Sequence, residues 1–108
     1  MPDATYIPIA QVGDIPPGEG RPFPINGRVI GLFLVDNQYY AIDDFCPHQG
    51  ASLSAGYVED GCVRCPWHAW DFHLKDGTWV ENPRARFRCE TFPVLVEDNN
   101  IYIKLPDP

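Results

Sequence analysis

Arg28-Val29-Ile30-Gly31-Leu32-Phe33-Leu34-Val35, then Asp36-Asn37, then Gln38-Tyr39-Tyr40-Ala41-Ile42 is the stretch that decides the fold class. An apolar, β-rich run enters a two-residue turn and leaves it as a second β-rich run, which is the pattern of a hairpin. The pattern recurs outward in both directions. Thr5–Ala10 alternates around Ile7 and Ile9, and Pro8 assigns it to an edge. Residues 13–20 contain Pro16-Pro17-Gly18 and read as a loop. Tyr57-Val58-Glu59 and Cys62-Val63-Arg64 flank Asp60-Gly61, a second hairpin, and Trp70–Leu74 and Thr78–Val80 flank Lys75-Asp76-Gly77, a third. Thr91–Glu97, a turn at Asp98-Asn99-Asn100 and Ile101–Leu105 return the chain to strands. No apolar period of 3.6 residues runs over a helix-length window, so the expected class is all-β.

Composition narrows the function. The 108 residues are 44% apolar and 13% aromatic, the balance of one globular domain with a modest core. Twelve prolines and nine glycines favour short strands and tight turns. No apolar run approaches the roughly 20 residues that cross a bilayer. Met1–Thr5 lacks the basic and apolar segments of a secretory signal. A soluble, cytoplasmic product with no membrane partner is expected. Fifteen acids against eight Lys and Arg give a net charge of −7, which disfavours nucleic acid and suits either solubility or steering toward a basic redox partner. Four cysteines in a chain without a signal point to metal or free thiols over a disulfide framework.

The chemistry concentrates in Cys46-Pro47-His48 and Cys65-Pro66-Trp67-His68, two Cys/His pairs separated by sixteen residues. Thiolate suits sulfide-bridged iron and neutral imidazole suits a more exposed iron, so two such loops can each grip both metals of a binuclear site. A proline directly after each cysteine restricts the loop and lowers the entropy lost on ordering it, and Gly50 and Gly56 supply turns around the first. A structural zinc site of the same four residues is the alternative metal reading, although zinc patterns more often group Cys with Cys and His with His. A Cys/His nucleophile pair lacks a recognisable orienting group or oxyanion donors, and chance scatter does not explain a proline at the same offset in both pairs.

Cys46-Pro47-His48-Gln49-Gly50-Ala51 with Cys65-Pro66-Trp67-His68-Ala69-Trp70 resembles the motif pair of the Rieske [2Fe–2S] family. The likeness extends to the N-terminal strands, to Leu53 and Gly56, and to Phe92-Pro93-Val94. It implies a Rieske fold of stacked antiparallel sheets. Residues 1–108 would then form a single domain, with about 43–83 as a small cluster-binding subdomain and 1–42 with 84–108 as the base. It implies one [2Fe–2S] cluster, with Cys46 and Cys65 on the buried iron and His48 and His68 on the exposed one. The implied role is a one-electron carrier without bond chemistry of its own, passing electrons from a flavin-type reductase to a terminal oxygenase. The chain also resembles the small Rieske-type subunit of assimilatory nitrite reductases, where the cluster would serve a large reductase chain.

Neighbouring residues qualify the resemblance. Respiratory members of the family clamp the two loops with a disulfide at the positions of Ala51 and Trp67, and place hydroxyls at the positions of Trp70 and Phe72. None of these side chains serves here, so the reduced cluster receives fewer hydrogen bonds. Ala69 stands where glycine is common, which strains the loop by about 1 kcal/mol if φ is positive there. Trp67 and Trp70 read as packing in place of the disulfide. Cys62 and Cys89 read as small buried hydrophobes, and His73 as a strand residue. Arg84, Arg86 and Arg88 would line one face of an extended segment, as edge protection or a docking patch, with Pro83 in a loop that covers the cluster in this family. The missing hydrogen bonds predict a reduction potential low in the family range, near −150 mV. A redox titration checks this, and a midpoint above about +100 mV would contradict it.

Overall fold

The computed structural model describes residues 5–46, 51–66 and 70–105. Among these are strands β1 Tyr6–Gln11, β2 Glu19–Ile25, β3 Arg28–Val35, β4 Gln38–Asp43, β5 Tyr57–Glu59, β6 Cys62–Arg64, β7 Asp71–His73, β8 Thr91–Phe92, β9 Val94–Glu97 and β10 Asn100–Lys104. A single 3-10 turn, Leu53–Ala55, is the helical element of the described residues. The strands form three antiparallel sheets with orders β1-β10-β9, β2-β3-β4-β8 and β5-β6-β7. The all-β, antiparallel expectation is met.

Four hairpins close through turns whose two central residues both have positive φ: Asn26-Gly27, Asp36-Asn37, Asp60-Gly61 and Asp98-Asn99. Such turns match the right-handed twist of the strands they join, and Asn, Asp and Gly adopt positive φ at least cost. Three of these turns were read from the sequence; the hairpin of β2 and β3 around Asn26-Gly27 was not. Pro22 and Pro24 obscured β2, which tolerates them because it lies at the edge of its sheet. Pro8 likewise sits on an edge, in β1, where the register with β10 shifts between Pro8 and Ala10.

Two other expectations are corrected. Thr91–Glu97 is not one strand: Pro93 separates β8, which pairs with β4, from β9, which pairs with β10, so the chain changes sheets there. Thr78–Val80 is not a regular strand either, and joins the fold through the bridges Phe72 to Trp79 and Thr78 to Arg88.

The apolar continuity of β3 has a packing cause. Its alternate residues enter two different cores, so both faces of the central sheet are covered. Ile30 and Leu32 join Ala41, Phe92, Ile101, Ile103 and Ile15 in a core shared with the β1-β10-β9 sheet. Phe33 joins Ile42, Leu53, Val63, Phe72, Leu74 and the thiols of Cys46, Cys65 and Cys89 in a second core, shared with the β5-β6-β7 sheet. A strand buried on both faces loses the polar alternation of a half-exposed one.

Gly56 shows how tightly the second core is joined. A Cβ at this position would run into the backbone carbonyl of Arg64, on the strand that leads to Cys65. Its own N–H caps the 3-10 turn through the Leu53 carbonyl at 2.9 Å. Gly56→Ala must therefore separate the 3-10 turn from β6. Urea denaturation should show a loss of about 1–3 kcal/mol with an unchanged m-value.

Candidate metal centre

After β4 the chain bends at Asp44 and Phe45, with Asp44 and Cys46 buried and Phe45 61% exposed. The Cys46 N–H then donates to the Ala51 carbonyl at 2.9 Å, closing a loop around the four residues between them. Cys65 leaves β6 and is closed in the same way: its N–H donates to the Trp70 carbonyl at 2.8 Å, again around four residues. Each cysteine is thus the first residue of a loop shut by its own amide. The two thiols are 0% and 1% exposed and belong to one core.

The second loop sits between β6 and β7, as a hairpin tip should. The first does not crown a hairpin. After Ala51 the chain enters the 3-10 turn and then β5, which pairs with β6 and not with β4. Something other than strand pairing must therefore hold the far side of this loop, and the Asp44 carboxylate does so. It accepts from the Ser52 hydroxyl at 2.6 Å, the Ser54 hydroxyl at 2.8 Å and the Ser54 backbone N–H. A buried carboxylate with three donors is satisfied, and it ties residue 44 to residues 52 and 54 across the loop. No spacing rule flagged Asp44, because its partners become neighbours only once the loop closes.

Trp70 packs as anticipated. Its ring stacks on Trp79 at 4.0 Å and 8°, and Phe87 meets it edge-on at 5.6 Å and 79°. Such aromatic contacts contribute about 0.5–1.5 kcal/mol each beyond area burial, and here they fix the residue whose carbonyl closes the Cys65 loop. Neither Trp79 nor Phe87 was singled out from the sequence. Phe72 is fully buried in the same core.

The remaining thiols separate by strand parity. Cys65 shares the inward side with Val63, whereas Cys62 faces outward, paired across the sheet with His73. Its Sγ lies 3.5 Å from His73 Nδ1. Cys62 is half-buried, not enclosed as the sequence suggested. Burial, then the charges of Asp71, Asp60 and Asp76, push its thiol up, so it stays protonated. Cys89 is buried as anticipated, and its thiol is pushed up to about 12 by burial first and then by Cys46, Asp43, Asp44 and Cys65. It is a neutral thiol among groups of like charge.

His48 and His68 lie outside the described residues, as do Pro47, Gly50, Trp67 and Ala69. What is described fits an iron–sulfur cofactor. Cys46 and Cys65 converge in one core on separately closed loops, whereas Cys89 shares that core without opening such a loop and Cys62 lies on the other face of its strand.

A model of the Rieske [2Fe–2S] domain matches residues 5–93. The chain belongs to this family. Its cofactor is accordingly one [2Fe–2S] cluster, which sets aside the zinc reading. Among relatives of this Rieske chain, the 3-phenylpropionate/cinnamic acid dioxygenase ferredoxin subunit of Escherichia coli (strain K12) is 44% identical over 97 residues, covering 89% of this chain and 90% of that protein. Among solved structures, a chain from the complex of reduced oxygenase and oxidized ferredoxin in carbazole 1,9a-dioxygenase aligns with TM-score 0.83 and 26% identity, covering 94% of both chains. A structure assigned to the small subunit of an NADPH nitrite reductase aligns with TM-score 0.84 and 30% identity, over 94% of this chain and 99% of that one.

The Asp44 tie gives a direct test. Asp44→Ala leaves the donors of Ser52 and Ser54 without their carboxylate, and should lower stability by about 2–4 kcal/mol in chemical denaturation. Iron content per chain after purification should fall with it.

Proposed function

We propose that this protein is a one-electron carrier that accepts an electron from a flavin-type reductase and delivers it to a terminal oxygenase. The observation that carries the reading is the pair of buried thiols, Cys46 and Cys65, each opening a loop shut by its own amide within one core of a Rieske-family chain. The 44% identical ferredoxin subunit of a dioxygenase supports the oxygenase as recipient. Cys46, His48, Cys65 and His68 hold the cluster, the thiolates on the buried iron and the imidazoles on the exposed one. The cluster supplies a reversible one-electron couple when bound. The chain's own residues exclude water from the thiol side through Phe33, Ile42, Leu53 and Phe72. They fix the two loops through Asp44 and the Trp70 stack. The likeness to a ferredoxin subunit supports a carrier without bond chemistry of its own, with substrate choice lying with its partner.

Residues 1–108 act as one domain, with 43–83 as the cluster-binding part and 1–42 with 84–108 as its base. The shared core of Phe33, Ile42, Val63, Phe72 and Cys89 supports this, since it draws on both parts. No helix of the described residues is long and apolar enough to cross a membrane, and the carrier is assigned to the cytoplasm, without a membrane or nucleic-acid partner. A second reading, the small subunit of an assimilatory nitrite reductase, is favoured by the 30% identical small-subunit structure. Copurification separates the two: a stable complex with a large reductase chain supports the subunit, and a chain that purifies alone with transient partners supports the carrier.

The site assignment is checked by visible absorption and EPR of the dithionite-reduced protein. Alanine at Cys46, His48, Cys65 or His68 should each abolish the Rieske spectrum, whereas Cys62→Ala and Cys89→Ala should retain it. Delivery is checked by mixing the reduced protein with the oxygenase component of the 3-phenylpropionate/cinnamic acid dioxygenase and following reoxidation. A colourless protein, or one that keeps its spectrum without His48 and His68, contradicts the assignment.

A further inference from the structure

The segment Asn82–Arg88 departs from the extended strand that alternating arginines suggested. It is a compact loop, held by the Ala85 N–H on the Asn82 carbonyl at 3.0 Å, the Arg84 N–H on Asn82 Oδ1 at 3.3 Å and Arg88 Nη2 on the Pro83 carbonyl at 3.3 Å. Arg84, Arg86 and Arg88 are all exposed on it.

Ion pairing sets them apart. The three arginines elsewhere each hold a carboxylate: Arg21 with Glu19, Arg28 with Glu90, and Arg64 with Asp71. Among the described residues no carboxylate pairs with Arg84, Arg86 or Arg88, although Glu81 stands exposed at the start of the loop. Glu90 and Asp71 are taken by Arg28 and Arg64, and Asp76 accepts from Thr78. Beyond this loop, five cations remain against fifteen acids. Among the described residues, an acidic protein therefore carries a concentrated positive surface without ion pairs.

Its position ties that surface to the metal centre. The Arg86 guanidinium lies 6.0 Å from the Phe87 ring centroid. Phe87 meets Trp70 edge-on, and the Trp70 carbonyl closes the Cys65 loop. One aromatic residue thus separates the exposed arginines from the residue that ends a ligand loop.

We infer that the loop Asn82–Arg88 is a docking surface for an acidic face of the electron-accepting oxygenase, an inference that rests on the carrier reading above. Three planar guanidiniums without a carboxylate partner among the described residues present fork-shaped donors to surface carboxylates. They orient the molecule so that the acceptor meets the cluster end, while the acidic remainder repels the same partner from other approaches.

The test uses the reduced holoprotein and Arg84→Glu, alone and combined with Arg86→Gln. The Arg84 side chain holds no structural bond among the described residues, and retention of the visible spectrum and midpoint potential controls for folding. The first acceptor is ferricyanide, a trianion that takes one electron to become ferrocyanide. Stopped-flow oxidation of the wild type should slow as salt rises, against the sign that a net charge of −7 dictates. The variants should react roughly tenfold more slowly at low salt and lose that dependence. The second acceptor is the oxygenase component named above, for which the same variants should slow transfer. A readout independent of electron transfer is the NMR shift of amides 82–88 on adding redox-inert hexacyanocobaltate, present in the wild type and lost in the variants. Oxidation by ferricyanide that quickens with salt in the wild type, or variants with unaltered rates and unaltered amide shifts, overturns the inference. Variants slowed in reduction by the reductase and not in oxidation overturn the assignment to the oxygenase. Failure of the carrier reading itself is distinct: the holoprotein then purifies in a stable complex with a large reductase chain.

Discussion

Burial of the central strand on both faces is the constraint on which the rest of this structure depends. Ile30 and Leu32 point into one core while Phe33 points into the other, so β3 is the wall between them. One core joins the central sheet to the β1-β10-β9 sheet and contains no thiol. The other joins it to the β5-β6-β7 sheet and contains Cys46, Cys65 and Cys89. The metal centre is therefore not attached to a finished scaffold. Its buried thiols are packing members of the second core, and the hydrophobic contacts that order β5, β6 and β7 also exclude water from the sulfurs. Low local polarity raises the free energy of any unpaired thiolate. Two deprotonated sulfurs in such a core become stable when a cation occupies the site, so folding of this half and metal binding are thermodynamically coupled.

Much of this was legible in the sequence, for identifiable reasons. Two-residue turns such as Asp36-Asn37 and Asp60-Gly61 are local events. The residues that adopt positive φ are few, and their flanks declare strands. β3 and its boundaries followed directly. The Cys/His pairs were legible because ligand type and spacing are chemical requirements that packing cannot mimic. What escaped notice depends on contacts distant in sequence. β2 was hidden by Pro22 and Pro24, since edge position is a property of the assembled sheet. The break at Pro93 was missed because an apolar, β-branched run reads the same whether it serves one sheet or two. Asp44 was missed because an acidic residue before a loop looks like any solvated one until Ser52 and Ser54 fold back on it.

The cysteines show the limit of spacing as a guide. Cys62 and Cys65 lie three residues apart, a separation that invites a shared metal. The strand between them sends them to opposite faces, because side chains on an extended chain alternate. Cys89, remote in sequence, returns to the same core as the two ligand candidates. Its raised pKa keeps it a neutral, hydrophobic filler, and burial is common to all three thiols of this core; only Cys46 and Cys65 open loops shut by their own amides.

Charge is distributed by the same division of labour. The acidic excess lies on a chain whose arginines outside residues 82–88 are all neutralised by ion pairs. Exposed pairs of this kind contribute little stability, about 0–1 kcal/mol each. Their larger effect is to leave the surrounding field acidic and smooth. Against that background, three guanidiniums with no carboxylate partner among the described residues, on a loop that packs Phe87 against Trp70, are an electrostatic landmark. A one-electron carrier must be recognised quickly and released quickly, which favours charge steering over a large apolar interface. The loop couples the two needs: its inner ring supports the ligand loop, and its outer charges orient the partner that the ligand loop is to meet.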